Sequence, residues 1–363
     1  MRENSLMQSA KDAKNDEFYT QYSDIQKELN AYLEFNPDTF RDKTVLLPCD
    51  DPEWSNFTRF FAQNFETFGL KKLISTSYAA DKKKVQFQQL SMFEESSPQF
   101  DRTKTNSHGK IFVLERDTNR SGKIDINDLE WAYLDGDGDF RSDEVKKLRD
   151  ESDIIITNPP FSLFRDFLAW IMEGQKKFLI IGNINCITYL EVFPRIMRNE
   201  IWLGNGMGRW ISGFIVPESY PLYGTEARID ADGHRIVSTN NCLWLTNLDH
   251  GRRHQPMQLM TMADNIKYSK HKEVREQKYP HYDNYDAIDI PYTDSIPSDY
   301  DSYMGVPITF MDKYCPDQFE IIGCSDNGYV PDWFKLEHFK KHNEPYLSGK
   351  KVYKRIFIRR KQQ

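Results

Sequence analysis

Apolar residues along this chain gather in short unbroken blocks that alternate with stretches of helical spacing. In "DIQKELNAYLEF", Ile25, Leu29, Tyr32 and Leu33 recur every three or four positions, which is the spacing of one buried helix face. The block "KTVLLPCDDP" then reads as a short buried strand ending in a turn. "WSNFTRFFAQNFETF" sets Phe57, Phe60, Phe61, Phe65 and Phe68 three or four apart and predicts an amphipathic helix with an aromatic core stripe; "KKLISTSY" follows as strand. The same order returns downstream, with "DESDIIITNPPF" as strand, "SLFRDFLAWIMEG" as a helix closed by Gly174, and "KKFLIIGNIN" as another apolar strand. Near-continuous apolar strands interleaved with helices predict an α/β protein whose parallel sheet is covered by helices on both faces.

Two stretches break this rhythm. From about residue 81 to residue 134 the chain is polar, apart from the strand-like "KIFVLE", and reads as an insertion. Beyond Ile201 come short strands, many Gly, Pro, Tyr and Trp, and long polar turns. A first domain over 1–200 is therefore expected, with 201–363 supplying the remainder of the sheet and an irregular, strand-rich region. The length of 363 residues agrees, because single cores rarely exceed roughly 250 residues.

Charge adds one detail. The formal net charge of -7 gives no overall attraction to a polyanion, yet the tail after Asp332 is basic, with "KKVYKRIFIRRK" near its end. The five cysteines, Cys49, Cys186, Cys242, Cys315 and Cys324, form no CxxC pair, so neither a disulfide frame nor a metal site is expected from them. With no apolar leader and no apolar run of membrane-spanning length, a soluble cytoplasmic protein is expected.

The candidate chemistry sits where the isoleucine strand stops, at Asn158, Pro159, Pro160 and Phe161. Ligands of open parallel sheets bind at the carboxyl ends of strands. Two prolines stiffen the loop and remove two backbone donors, which leaves carbonyls to accept from a ligand. Asn158 adds a side-chain carbonyl and Phe161 a flat face, a combination suited to a planar ring bearing an amino group. The bland alternative is a proline-rich turn that ends a strand.

An apolar strand followed by Asn-Pro-Pro-Phe resembles the catalytic loop of S-adenosylmethionine-dependent amino methyltransferases. The ordered segments "KNDEFYTQYSDIQKEL", "VLLPCDDPEWSNFTRFF", "GDGDFRSDEV", "ITNPPFSLFRDF", "KKFLIIGNINCITYLEVF", "LWLTNLDH", "YDNYDAI" and "MGVPITFMDKYCPDQFEIIG" together resemble the EcoRI-type adenine-specific DNA methyltransferase family. That resemblance implies a Rossmann-like methyltransferase sheet, double-stranded DNA as substrate, and a target adenine turned out of the helix, at a cost of a few kcal/mol. It implies that Asn158 and the Pro159 carbonyl accept the two N6 hydrogens while Phe161 stacks on the base. For the methyl donor it points to Phe18, Tyr19 and Thr20, to Asp139 and Phe140, and to Asn158. Asp50, Asp51 and Pro52 stand where related folds carry a glycine-rich turn, and they read either as donor ligands or as turn residues. The resemblance further implies a monomer, with a restriction endonuclease of the same site as a possible partner, and no membrane association.

The region after Ile201 is the natural place for reading DNA, with Arg209, Arg252 and Arg253 able to reach phosphates or base edges. "DTNRSGKIDIND", Asp117 to Asp128, has the oxygen spacing of a calcium loop, but Asp128 replaces the usual final Glu and a strand precedes it, so a solvated turn is favoured. Two further classes stay open: a silent DNA-binding or calcium-responsive module of this fold, and a methyltransferase acting on RNA or protein amides.

Overall fold

The computed structural model describes residues 19–79, 98–115, 130–216, 222, 227–231, 233–238, 240–326, 328–336 and 343–361. Phe18 and the Asp117–Asp128 loop lie outside them.

The predicted elements form where the patterns place them, except that the single helix expected over the aromatic stripe breaks at Asn64 into two. Strand β1 (Tyr19–Thr20) leads into helix α1 (Tyr22–Phe35), which buries Ile25, Leu29 and Tyr32 completely. After β2 (Thr44–Leu47), the Ser55 hydroxyl caps helix α2 (Asn56–Gln63) by accepting from Phe57 N at 3.0 Å. The aromatic stripe continues through α3 (Phe65–Phe68), which Gly69 ends in the left-handed conformation at φ 62°. Phe60, Phe61 and Phe68 meet one another edge-on or tilted at 5.7–6.0 Å between centroids. Each such ring contributes about 2 kcal/mol by leaving water.

Then follow β3 (Lys72–Thr76), β4 (Lys110–Leu114), β5 (Trp131–Tyr133), α4 (Asp143–Glu151), β6 (Ile154–Thr157), α5 (Phe164–Glu173) and β7 (Lys177–Asn183). The glycine after α5 has a different job from the one expected. Gly174 keeps helical angles, at φ -74°, and the left-handed residue is Gln175. A Cβ on Gly174 would lie 2.8 Å from the Arg149 side chain, whose guanidinium donates to the Trp170 carbonyl and pairs with Glu173. Close approach, not backbone angle, requires the glycine.

Strands β8 (Trp202–Met207), β9 (Phe214–Val216), β10 (Ala227–Ile229), β11 (Arg235–Val237) and β12 (Cys242–Thr246) complete two sheets. The central one has eight strands in the order β5-β4-β3-β2-β6-β7-β12-β8. Its middle, β3-β2-β6-β7, is parallel. β4 runs antiparallel to β3, β5 to β4, and β12 to β7, so the sheet is mixed and not parallel throughout as the apolar runs predict. Those runs report burial on both faces, and β12 is buried along its whole length although it is antiparallel. A second, antiparallel sheet has the order β1-β9-β11-β10.

The chain packs as two compact units, Met1–Ile184 with Gly204–Leu248, and Asn185–Leu203 with Asp249–Gln363, so residues after 201 contribute to both. The second unit holds β13 (Ile288–Asp289), β14 (Met304–Val306), β15 (Phe319–Cys324), the β16 (Tyr346–Leu347) and β17 (Lys350–Lys351) hairpin, and β18 (Ile356–Arg360). Its sheet runs β13-β14-β18-β15, and Tyr282, Tyr285, Phe334 and Phe357 form an aromatic core there. No helix among the described residues is long and apolar enough to cross a membrane.

Candidate active site

The Asn158–Phe161 loop begins at the carboxyl end of β6, between β2 and β7 in the sheet. Pro159 is buried, while Asn158, Pro160 and Phe161 are partly exposed. The Asn158 side-chain oxygen itself is shielded from solvent. The Pro160 carbonyl accepts from Leu163 N at 3.0 Å and starts a short helical turn, Phe161–Leu163, that runs into α5. Phe161 packs on the main core, its ring 6.2 Å from that of Phe214 and nearly perpendicular to it.

Phe214 ties the amino-terminal segment to this loop. It pairs with Thr20 in the β1–β9 ladder, and Tyr19 pairs with Ile215. Asn56, at the start of α2, donates to the Thr20 carbonyl at 2.9 Å. The Thr20 hydroxyl is buried and has no hydrogen-bond partner among the described residues. An orphaned buried hydroxyl is expensive and is expected where a ligand completes it.

The turn after β2 is knitted to both neighbouring strands. Asp50 is 6% exposed, and its carboxylate accepts from Ser55 Oγ at 2.6 Å and from Thr157 Oγ1 at 2.7 Å. Its N–H donates to the Thr76 carbonyl, and its own carbonyl accepts from Ser75 Oγ. Asp51 closes the turn by accepting from Glu53 N at 2.9 Å, and Pro52 is buried behind it. Lys110 anchors the far side, 2.5 Å from Glu53 and 3.7 Å from Asp51, with its ammonium over the Trp131 ring. Burial raises the Glu53 carboxyl above its usual value, with Lys110 pulling the other way.

Asp139 and Phe140 lie in a turn brought against the end of β3. Ala79 N donates to the Asp137 carbonyl and Gly109 N to the Gly136 carbonyl. Only glycines allow this fit: a Cβ on Gly138, at φ +79°, would sit 2.1 Å from the Ser77 carbonyl oxygen, and one on Gly109 would sit 2.3 Å from it. The glycine-enabled close approach absent after β2 is thus found beside β3. Asp139 is paired with Arg141 at 2.6 Å, and Phe140 is buried against Phe167 and Trp170.

The structure therefore brings Tyr19, Thr20, Asp50, Asp51, Pro52, Asp139 and Asn158–Phe161 to the carboxyl edge of β2, β3 and β6 or to elements bonded to it. The arginines expected to meet DNA belong to other elements. Arg209 is in the turn Gly208–Trp210 after β8. In the second unit, Arg252 pairs with Asp312 at 2.6 Å. Arg253 is buried over the Trp202 ring at 3.5 Å and bonds Asn199 and Asp249; burial holds its pKa below the usual arginine value.

Sequence reasoning missed Thr157, Ser55, Gln21, Asp24 and Ser212. Asp24 accepts from both N and Oγ of Ser212 at 2.8 Å, and Gln21 donates to Ser212 Oγ and the Gly213 carbonyl, which fixes the approach to Phe214. The signal in the sequence was weak: Thr157 is the one polar position in an otherwise isoleucine strand, and Ser55 stands before a helix.

Comparison with known proteins adds the family. The model described as "Adenine-specific methyltransferase EcoRI" matches residues 6–361. The chain is 45% identical over 358 residues to "Type II methyltransferase M.EcoRI" of Escherichia coli, covering 99% of this chain and 97% of that protein. It is 33% identical to "Type II methyltransferase M.MpnI" of Mycoplasma pneumoniae and 32% identical to "Type II methyltransferase M.MgeORF184P" of Mycoplasma genitalium, with 97% of this chain covered in each case and 97% and 98% of those proteins. No solved structure matches the chain significantly. A strand-end Asn-Pro-Pro-Phe loop, the elements gathered around it and a match over nearly the whole length agree, and the chain belongs to the EcoRI-type adenine-specific DNA methyltransferase family.

Proposed function

We infer that this type II adenine-specific methyltransferase acts on double-stranded DNA, turns its target adenine out of the helix, and methylates the exocyclic N6 with S-adenosylmethionine as donor. The observation that carries the reading is the Asn158–Phe161 loop at the carboxyl end of β6. In this reading the mixed sheet is the Rossmann-like sheet of such enzymes, with its parallel centre around β2 and β6.

The residues present suit that donor. The unpartnered Thr20 hydroxyl is a buried polar group awaiting a ligand, and the segment Phe18–Thr20, Asp51 and Pro52 after β2, the Asp139–Phe140 turn and Asn158 would hold it. When bound, it supplies a methyl group made electrophilic by its sulfonium. The chain's own residues do the rest. Asn158 Oδ1 and the Pro159 carbonyl accept the two N6 hydrogens, since the Pro160 carbonyl is already engaged by Leu163 N. Accepting both hydrogens turns the nitrogen lone pair out of the ring plane and toward the methyl group. Phe161, braced edge-on by Phe214, stacks on the everted base and recovers part of the cost of eversion. Positioning and electrostatics carry the transfer, with no covalent intermediate on the protein.

Arg209 and Arg252 are assigned to the DNA surface, and Arg253 supports that surface from within. The expected assembly is a monomer, and its expected counterpart is a restriction endonuclease reading the same site. The direct test is tritium transfer from S-adenosylmethionine to duplex DNA, followed by mapping of N6-methyladenine. Asn158→Ala should lower the transfer rate by about 100-fold or more while the circular dichroism spectrum stays unchanged. Transfer at the parent rate would remove the assignment.

A further inference from the structure

Asp50 is a buried carboxylate one hydrogen bond from Thr157, the residue that precedes the catalytic loop. Both oxygens accept hydroxyl protons, one from Ser55 and one from Thr157, at 2.6 and 2.7 Å. These lengths fall in the range of charge-assisted O–H···O bonds, which are roughly twice as strong as neutral ones. A carboxylate is acceptor-only, so both hydroxyls must aim at it and their rotors are fixed. The main chain of Asp50 is held as well, through Thr76 and Ser75, and Ser75 Oγ lies 2.7 Å from Thr58 Oγ1. Ser75, Thr58 and Thr157 are all fully buried.

Thr157 is the informative partner. It follows Ile154, Ile155 and Ile156, where a fourth β-branched apolar residue would suit the strand as well. A hydroxyl buried to 0% exposure costs stability unless bonded, and this one donates to the Asp50 carboxylate. Thr157 is also bonded covalently to Asn158, so its orientation sets where the Asn158 backbone leaves the sheet.

We propose that Asp50 is a positioning residue for methyl transfer: through Thr157 it fixes the direction in which Asn158 and Pro159 present their acceptor oxygens, while Ser55 ties the same carboxylate to the start of α2. This rests on the catalytic reading of Asn158 given above. It replaces the expectation, from the position of Asp50 after β2, that its carboxylate meets the donor. Misaligning two acceptors by a fraction of an ångström slows the chemical step far more than it alters binding of either substrate.

The test uses the full-length enzyme with a duplex carrying its methylation site. Single-turnover methyl transfer gives the rate, and equilibrium binding of labelled S-adenosylmethionine gives donor affinity. Thr157→Val removes one hydroxyl at constant shape, Asp50→Asn removes one acceptor, and Thr157→Ser keeps the hydroxyl. Thr157→Val and Asp50→Asn should each slow transfer by about 10-fold or more with donor affinity within about twofold of the parent. The double variant should be no slower than the slower single one, because both act through one hydrogen bond. Thr157→Ser should recover most of the rate, and it keeps the proposal testable if Thr157→Val unfolds. A parent-like rate in Thr157→Val, or an Asp50→Asn defect confined to donor affinity, overturns the proposal. The catalytic reading beneath it fails separately, through a parent-like rate in Asn158→Ala.

Discussion

The place of Asn158 and Phe161 at a strand end is legible in four letters because the signal is local: two prolines, an amide and a ring after an apolar run. Their supports are not local. The Thr157–Asp50 bond spans 107 positions and the Ser212–Asp24 bond 188, so neither follows from spacing. Phe161→Ala should weaken retention of an everted base by about 1–3 kcal/mol, read with a fluorescent base analogue at the target; an unaltered signal would deny it the stacking role. Asp24 gives a pH signature. Burial lifts its carboxyl above the usual 3.8, against the opposing bonds from Ser212. The folded protein therefore keeps this proton longer than the unfolded chain, and the resulting stability is complete below pH 3.8 and lost as pH rises through the folded value. Asp24→Asn retains an acceptor for Ser212 and should gain in melting temperature relative to the parent as pH rises from about 3 to about 7. A constant difference across that range would refute the argument.

Strands and helices were readable wherever one face or both are apolar, as in β2, β6, β7, α1 and α5. Direction was not, since β12 and β7 are equally apolar and run opposite ways. The two-residue β1 was also hidden, because its ladder partner β9 lies almost two hundred positions downstream. In the acidic "GDGD" turn, spacing does not reveal that Gly138 is there for close approach to Ser77. Gly138→Ala combines that clash with positive φ and should cost about 3 kcal/mol or more in a urea titration. Gly233→Ala, at φ +87° with nothing within 4 Å of the new methyl, should cost only the backbone strain of about 1 kcal/mol. Equal losses would mean that the approach to Ser77 is unimportant.

Over the whole molecule, the net charge of -7 makes attraction to DNA a matter of distribution. Lys350 and Lys351 are exposed on the β16–β17 hairpin, although Lys351 also meets Glu344 at 3.0 Å. If the hairpin lies on DNA phosphates, replacing both lysines with Gln should reduce the slope of log affinity against log salt by about 1 for each phosphate they neutralise, with sequence preference unaltered. A slope equal to the parent's would exclude the hairpin from the DNA surface. Composition alone hides this, because acidic residues elsewhere outweigh the basic tail. The parallel centre of the main sheet also carries a consequence for durability. Thr157 is in register with Ile180 of β7, and Asp50 is bonded to the last residue of β3. The loop that is proposed to hold the target amine thus leaves the sheet from its buried parallel centre, and a void opened there, as by Ile180→Ala, should blunt turnover in an enzyme that still passes every test of being folded.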